Sequence, residues 1–185
     1  WGGLINNSRT WGMKIDGYIT QTFNKNISLE EIKEIKERLI HRHIAWLYIH
    51  RKQLLIPTSW EHINQSGIVA KKASSYQKKF GIGLVEDDVE GIKLSELVSS
   101  EELDRLGKTK NISTQMINEQ SQELTKLRDQ GVIDDFRHIE LMQVLSNFYD
   151  LQGKNERIKK FPCQGNMQIR ADTLLESFFY FFLSV

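Results

Sequence analysis

The scarcity of proline constrains this chain more than any other feature, because only Pro57 and Pro162 occur in 185 residues. Proline removes a backbone hydrogen-bond donor and clashes with the preceding helical turn, so a proline-free stretch can form a long helix. Each proline also restricts the residue before it, which favours helix ends just upstream. The sequence therefore predicts an all-α fold.

Capping signals and apolar spacing locate two long helices in the first third of the chain. Ser28 and Glu31 form a Ser-x-x-Glu capping box, in which each side chain bonds the backbone N–H of the other residue. Apolar residues then recur at helical spacing towards Leu55, and they are Ile32, Ile35, Leu39 and Trp46. The preceding segment, residues 1–23, has a similar repeat weakened by glycines, and we also predict it to be helical.

Two further long helices are predicted in the second half. Asn111 can cap a helix that Gly131 ends in a left-handed turn. Asp134 or Asp135 can cap the last helix, which we expect to run to about Lys160 before Pro162 stops it. Because the connection between these two helices is short, we expect them to pack side by side and antiparallel. Between residues 57 and 107, scattered glycines predict short helices and loops.

The composition limits the classes of partner. Apolar residues make up 39% of the chain and charged residues 26%, and the formal net charge is +1. A net charge so close to zero provides no field for a polyanion, so no nucleic-acid partner is predicted. The single Cys163 allows neither an internal disulfide nor a cysteine-based zinc site, which agrees with a reducing compartment.

The two ends of the sequence suggest a fragment. The chain opens on Trp1 without a secretory signal, so we expect it to be cut upstream. Residues 178–183 form an aromatic run far shorter than the roughly 20 apolar residues that span a bilayer. We expect either the truncated start of a membrane helix or a buried C-terminal helix. We therefore expect the chain to consist of a helical domain, residues 1–162, and a tail, residues 163–185.

Three histidines on one predicted helix raise the possibility of a metal site. His41 and His43 are two positions apart and lie on different faces, whereas helical ligand pairs are usually three or four apart. His43 and His50 share a face but are two turns apart. Without a third convergent ligand, we predict no metal site, and we interpret these histidines as surface or packing residues.

No other motif supports catalysis or cofactor binding. The Gly81-x-Gly83 pair lacks a third glycine and a preceding strand, so it is not a nucleotide loop. Residues 86–90 are acidic but lack the alternating spacing of a calcium loop, which favours a solvated acidic loop. Cys163 has no protease signature around it. The sequence therefore predicts no cofactor and no enzyme.

Four short blocks carry a resemblance to a known family. They are Trp1–Arg9, Arg42–Leu47, Asp134–Leu141 and Gly153–Ile158. In this order they resemble four stretches of prokaryotic bestrophin-like anion channels: the residues after the second membrane helix, an Arg-His-x-Ala helix, the head of the last cytosolic helix, and a Gly-x-x-Glu-Arg-Ile signature. The motif residues selected by the resemblance are Trp1, Gly2, Asn6, Ser8, Arg9, His43, Asp135, His138, Gly153, Glu156 and Arg157.

The resemblance implies a subunit of a channel for chloride or other small anions. Its cytosolic helices would form a homopentameric vestibule on the cytoplasmic side of the cell membrane, which the chain would reach through segments missing here. The resemblance also implies a lower constriction of the ion path at Phe136. Packing of Phe136 within the last helix pair is the alternative.

The resemblance ends at Pro162. Residues 163–170 lack the family's proline-rich entry into a third membrane helix, and Asn155 stands where the family often has cysteine. The alternative function is a soluble helical protein-interaction module, whose exposed apolar faces would bind partner helices.

Overall fold

A computed structural model describes residues 2–55, 67–68, 71 and 94–160. Six helices lie within these ranges: α1 (Gly2–Tyr18), α2 (Leu29–Leu55), α3 (Leu94–Leu97), α4 (Ser100–Gly107), α5 (Ile112–Asp129) and α6 (Asp135–Lys160). The described residues contain no strand. The prediction of an all-α fold is confirmed.

The chain divides into two compact units. One contains Gly2–His50 and Lys93–Gln152, and the other contains Trp1, Arg51–Ile92 and Gly153–Val185. In the second unit, the end of α6 carries a hydrogen bond from Arg157 Nε to the Gly153 carbonyl, at 3.3 Å.

The predicted capping box is present at the start of α2. Ser28 Oγ accepts from the Glu31 backbone N–H at 3.1 Å, and Glu31 Oε2 accepts from the Ser28 backbone N–H at 2.8 Å. These bonds satisfy two donors that a helix start leaves without intrahelical partners. The Glu31 carboxylate also accepts from the Ser28 hydroxyl at 2.9 Å. The two bonds that this carboxylate accepts lower the pKa of Glu31, the one from the Ser28 backbone N–H most.

The caps predicted for α5 and α6 are also present. Asn111 caps α5 by accepting from the Thr114 N–H at 3.1 Å. Of the two candidates for α6, Asp134 is the cap, since its carboxylate accepts from the Arg137 N–H at 2.7 Å. Gly131 follows α5 with φ of 69°, in the left-handed region that glycine tolerates best.

The first helix is shorter than predicted. It ends at Tyr18 rather than near residue 23. Thr20 follows, and its hydroxyl oxygen accepts a hydrogen bond from the Thr22 backbone N–H at 3.5 Å. Such local side-chain bonds compete with helical hydrogen bonds and favour turns, which accounts for the early end.

The core of the first unit is built mostly from the apolar faces of the long helices, and Ile19 and Ile133 add to it from the connections that follow α1 and α5. Its most deeply buried side chains include Leu4, Trp11, Ile15, Ile19, Leu39, Met116, Leu124, Ile133, Leu141 and Phe148. The contacts between α1 and α6 follow opposite directions along the two helices. Asn7 donates to the Val144 carbonyl, whereas Lys14, which comes later in α1, donates to Glu140, which comes earlier in α6. In α2 the residues of the predicted repeat, which are Ile32, Ile35, Leu39 and Trp46, are all buried, so this repeat corresponds to a buried face.

Several sequence predictions lie outside the described residues. They concern Trp1, the Gly81-x-Gly83 pair, the acidic residues 86–90, Cys163 and the aromatic run at residues 178–183. Among the helices that the structure does describe, none combines the length and apolar character needed to cross a membrane.

Candidate functional site

The start of α6 presents two large apolar side chains to solvent. Phe136 is 81% exposed and Ile139 is 63% exposed, whereas Leu141, Val144 and Phe148 on the same helix are buried. Phe136 therefore does not pack within the helix pair, which was the alternative to a constriction. An exposed phenylalanine at the head of a long helix is available to line a surface or a path.

Phe136 and Ile139 begin an exposed stripe along α6. The stripe continues at helical spacing through Gln143 and Asn147 to Asp150, all of which are exposed. It is apolar at the start of the helix and polar from Gln143 onward. This order of side chains places an apolar band next to amide groups that can donate hydrogen bonds.

The apolar end of the stripe is attached to the end of α1. Arg137 Nη1 donates to the Tyr18 carbonyl at 3.0 Å, and the guanidinium lies 4.7 Å from the Phe23 ring centroid. One turn later, Glu140 accepts from Lys14 Nζ at 3.0 Å and from the Tyr18 hydroxyl. These two bonds lower the pKa of Glu140, the Tyr18 bond most, and the same bond raises the pKa of Tyr18.

Two of the motif residues meet in the interior. Ser8 Oγ donates to the Leu4 carbonyl at 2.9 Å and lies 3.0 Å from His43 Nε2. Because the single hydroxyl proton is used on Leu4, His43 Nε2 must carry a proton and donate to Ser8. The bond connects α1 to α2 and fixes one tautomer of the imidazole.

His43 belongs to a stack of rings. Its ring centroid lies 4.6 Å from that of Phe148 and 5.5 Å from that of Trp46, and Trp46 in turn stacks on His50 at 5.7 Å. Burial lowers the pKa of His43 to about 3, so the ring is neutral at physiological pH. His43 and His50 thus share a face, as predicted, and Trp46 separates them.

A buried ionic network lies next to this stack. Arg42 Nε and Nη2 donate to the two Glu102 oxygens at 2.6 and 2.9 Å, and Nη1 donates to Glu123 and, at 3.1 Å, to Gln120. Burial disfavours the charge of Arg42, but the bonds to Glu102 and Glu123 outweigh it and raise its pKa. Gln120 also donates to the Leu39 carbonyl at 2.8 Å, which ties α5 to the backbone of α2.

The sequence did not identify this network, although one signal was present. Arg42 falls between Leu39 and Trp46 at spacings of three and four residues, which places it on the buried face of α2. A charged residue on a buried face requires partners, because an unpaired buried charge is costly. The partners Glu102 and Glu123 are far away in sequence, so nothing local predicts them.

A cleft of about 300 Å³ opens beside the network. Charged and polar residues line most of it, namely Arg38, Arg42, Arg105, Glu119, Gln122, Glu123, Lys126 and Gln130, together with Leu127. Each of the three arginines forms an ion pair with a glutamate, either within this lining or at Glu102. These ion pairs therefore neutralise most of the positive charge that lines the cleft.

The other motif residues lie apart from one another. Gly2, Asn6 and Arg9 are on the exposed side of α1, and Asp135 is exposed at the start of α6, 4.0 Å from Arg128. His138 is half-buried one turn further on. Gly153, Glu156 and Arg157 follow at the end of α6, in the second unit. Ser8 and His43 are thus joined directly, while the remaining described motif residues are distributed along α1 and α6.

The described residues do not contain a cluster of three or more histidine, cysteine, aspartate or glutamate side chains that could hold a metal ion. His43 is turned into the ring stack and donates to Ser8. Through these contacts, His43 serves as a packing residue of the interior.

Comparison with protein families identifies the chain. The family model of the bacterial and fungal bestrophin proteins matches residues 1–164. The chain belongs to the bestrophin family. This match extends over α1–α6, and so includes the exposed stripe, the Ser8–His43 bond and the Arg42 network. Bestrophin membership suggests an anion-channel type of protein rather than an enzyme. Searches of curated proteins and of solved structures return no match.

Proposed function

We propose that this bestrophin chain is part of a subunit of a homopentameric channel that conducts chloride or other small anions passively across the cell membrane. The described helices form its cytoplasmic side, and the exposed stripe of α6 faces the ion path. The observation that supports this assignment is the exposure of Phe136 and Ile139 at the head of α6 in a chain of this family.

A ring of Phe136 side chains would act as the lower constriction. Five copies of an apolar side chain around one axis narrow the path and disfavour hydrated ions, which pass only by losing water. Beyond the ring, Gln143 and Asn147 offer amide donors that can replace part of the hydration of an anion. The family match favours this channel over the alternative of a soluble helical interaction module.

The experiment compares anion fluxes of Phe136→Ala and wild-type protein, each made from the complete gene and reconstituted in liposomes. We expect Phe136→Ala to raise the permeability of large anions relative to chloride several-fold, because the ring is wider. Tyr149→Ala is the matched control, since Tyr149 is 53% exposed on the same helix but lies off the stripe. Equal relative permeabilities in all three proteins would contradict the assignment of Phe136.

A further inference from the structure

The Phe136 side chain makes few contacts within the chain, since it is 81% exposed. Its position relative to the rest of the first unit is therefore set by the backbone of the first turn of α6. Neighbouring residues that bond this turn to the rest of the first unit therefore determine how far the Phe136 side chain extends.

Two side chains of α6 converge on one residue of α1. Arg137 donates to the Tyr18 carbonyl at 3.0 Å, and Glu140 accepts from the Tyr18 hydroxyl. Tyr18 is the last residue of α1, so its carbonyl is one of the acceptors that a helix end leaves without an intrahelical donor. Tyr18 is thus bonded at both its backbone and its side chain by residues on consecutive turns of α6.

Further contacts reinforce this junction. The Arg137 guanidinium lies 5.5 Å from the Tyr18 ring centroid and 4.7 Å from that of Phe23, and it also reaches Thr20 Oγ1 at 3.4 Å. Lys14 adds an ion pair to Glu140 at 3.0 Å. Because the contacts differ in direction, together they restrict both sliding and rotation of the first turn of α6.

We propose that Tyr18, bonded by Arg137 at its carbonyl and by Glu140 at its hydroxyl, is the positioning residue that sets how far Phe136 extends into the ion path. This inference rests on the proposed function. The width of the constriction then depends on the end of α1 as well as on the Phe136 side chain. Loosening the junction lets the first turn of α6 move, and the ring of Phe136 side chains then widens.

The first measurement is hydrogen exchange of the α6 backbone amides between residues 137 and 141 in the complete protein. Tyr18→Phe removes the hydroxyl bond and keeps the ring, and Arg137→Gln removes the bond to the Tyr18 carbonyl. We expect exchange about five-fold faster in each variant, as for the loss of one net hydrogen bond. Arg105→Gln is the control, because Arg105 forms an exposed ion pair with Glu119 on other helices.

The second measurement is relative anion permeability in liposomes, with each variant also combined with Phe136→Ala. We expect Tyr18→Phe to give part of the change produced by Phe136→Ala, and to add nothing to it in the double variant. Faster exchange with unchanged permeability, while Phe136→Ala alone changes it, would overturn the positioning role and leave the channel proposal standing. Exchange equal to that of Arg105→Gln would also overturn it. Absence of anion flux in the wild type would overturn both.

Discussion

At the scale of single residues, the interior of the first unit contains two neighbouring polar side chains that are buried and hydrogen-bonded. His43 is neutral and donates to Ser8 within a stack of rings, while Arg42 remains charged and is surrounded by Glu102, Glu123 and Gln120. The difference follows from chemistry, because imidazole can lose its proton to avoid a buried charge whereas guanidinium cannot. Burial disfavours the charged form of both neighbours on α2, but His43 is neutral whereas Arg42 stays charged because Glu102 and Glu123 pair with it.

Replacing Arg42 with methionine should destabilise the fold by about 3–5 kcal/mol, because Glu102 and Glu123 then lose their buried partner. Chemical denaturation of the 185-residue chain measures the change. Arg105→Met is the matched control, and it should cost at most about 1 kcal/mol, since the Arg105 side chain is 61% exposed and its ion pair is screened by water. Equal losses of unfolding free energy in the two variants would contradict this prediction, because the buried network would then stabilise the fold no more than a surface ion pair does.

The neutral state of His43 predicts a pH dependence of stability. Burial lowers its pKa from 6.5 in the unfolded chain to about 3 in the fold, so between these values the unfolded state binds more protons. The free energy of unfolding therefore has its full value above pH 6.5. It decreases as the pH falls, by about 2 kcal/mol at pH 5. Unfolding free energies measured between pH 7.5 and 5 should show this slope, and His43→Gln should flatten it.

His41→Gln is the control for that slope, because His41 is a half-buried histidine on the same helix. This variant has the same histidine-to-glutamine change, two residues before His43 and outside the ring stack. An equal flattening by both variants would rule out His43 as the origin of the pH dependence.

At the scale of helices, much of the architecture follows from local chemistry. The capping box at Ser28, the cap at Asn111 and the left-handed Gly131 were predicted from the sequence and are present, because each depends on residues within one turn. The end of α1 was predicted too late, since the Thr20 side chain bonds the backbone two residues ahead and so favours a turn. A helical repeat alone does not reveal that competition.

Glycine substitutions separate the two roles that glycine has here. Gly131→Ala should destabilise the fold by about 1 kcal/mol, because alanine is strained at its φ of 69° although no atom lies within 4 Å of the added methyl group. Gly12→Ala, in the middle of α1 and equally unobstructed, should stabilise it by about 0.5–1 kcal/mol. Thermal or chemical unfolding of the two variants measures both effects, and a shift of the same sign in both would contradict this explanation.

At the scale of the molecule, the exposed stripe of α6 is the feature that the core does not explain. The sequence indicated Phe136 only through the family resemblance, and its pattern could not decide between packing and exposure, because Phe136 and Ile139 have the same apolar character as the buried Leu141 and Phe148. The attachment of Arg137 and Glu140 to Tyr18 was likewise hidden, since these residues are more than a hundred positions from Tyr18 in the sequence. Contacts between distant helices leave no local pattern.

We propose that this bestrophin chain belongs to an anion channel. Chloride efflux from liposomes containing the protein made from its complete gene tests it most directly, with a chloride electrode as the readout and protein-free liposomes as the control. The proposal predicts chloride efflux that increases with the amount of protein. A well-folded, purified protein that releases no more chloride than the protein-free liposomes would contradict it.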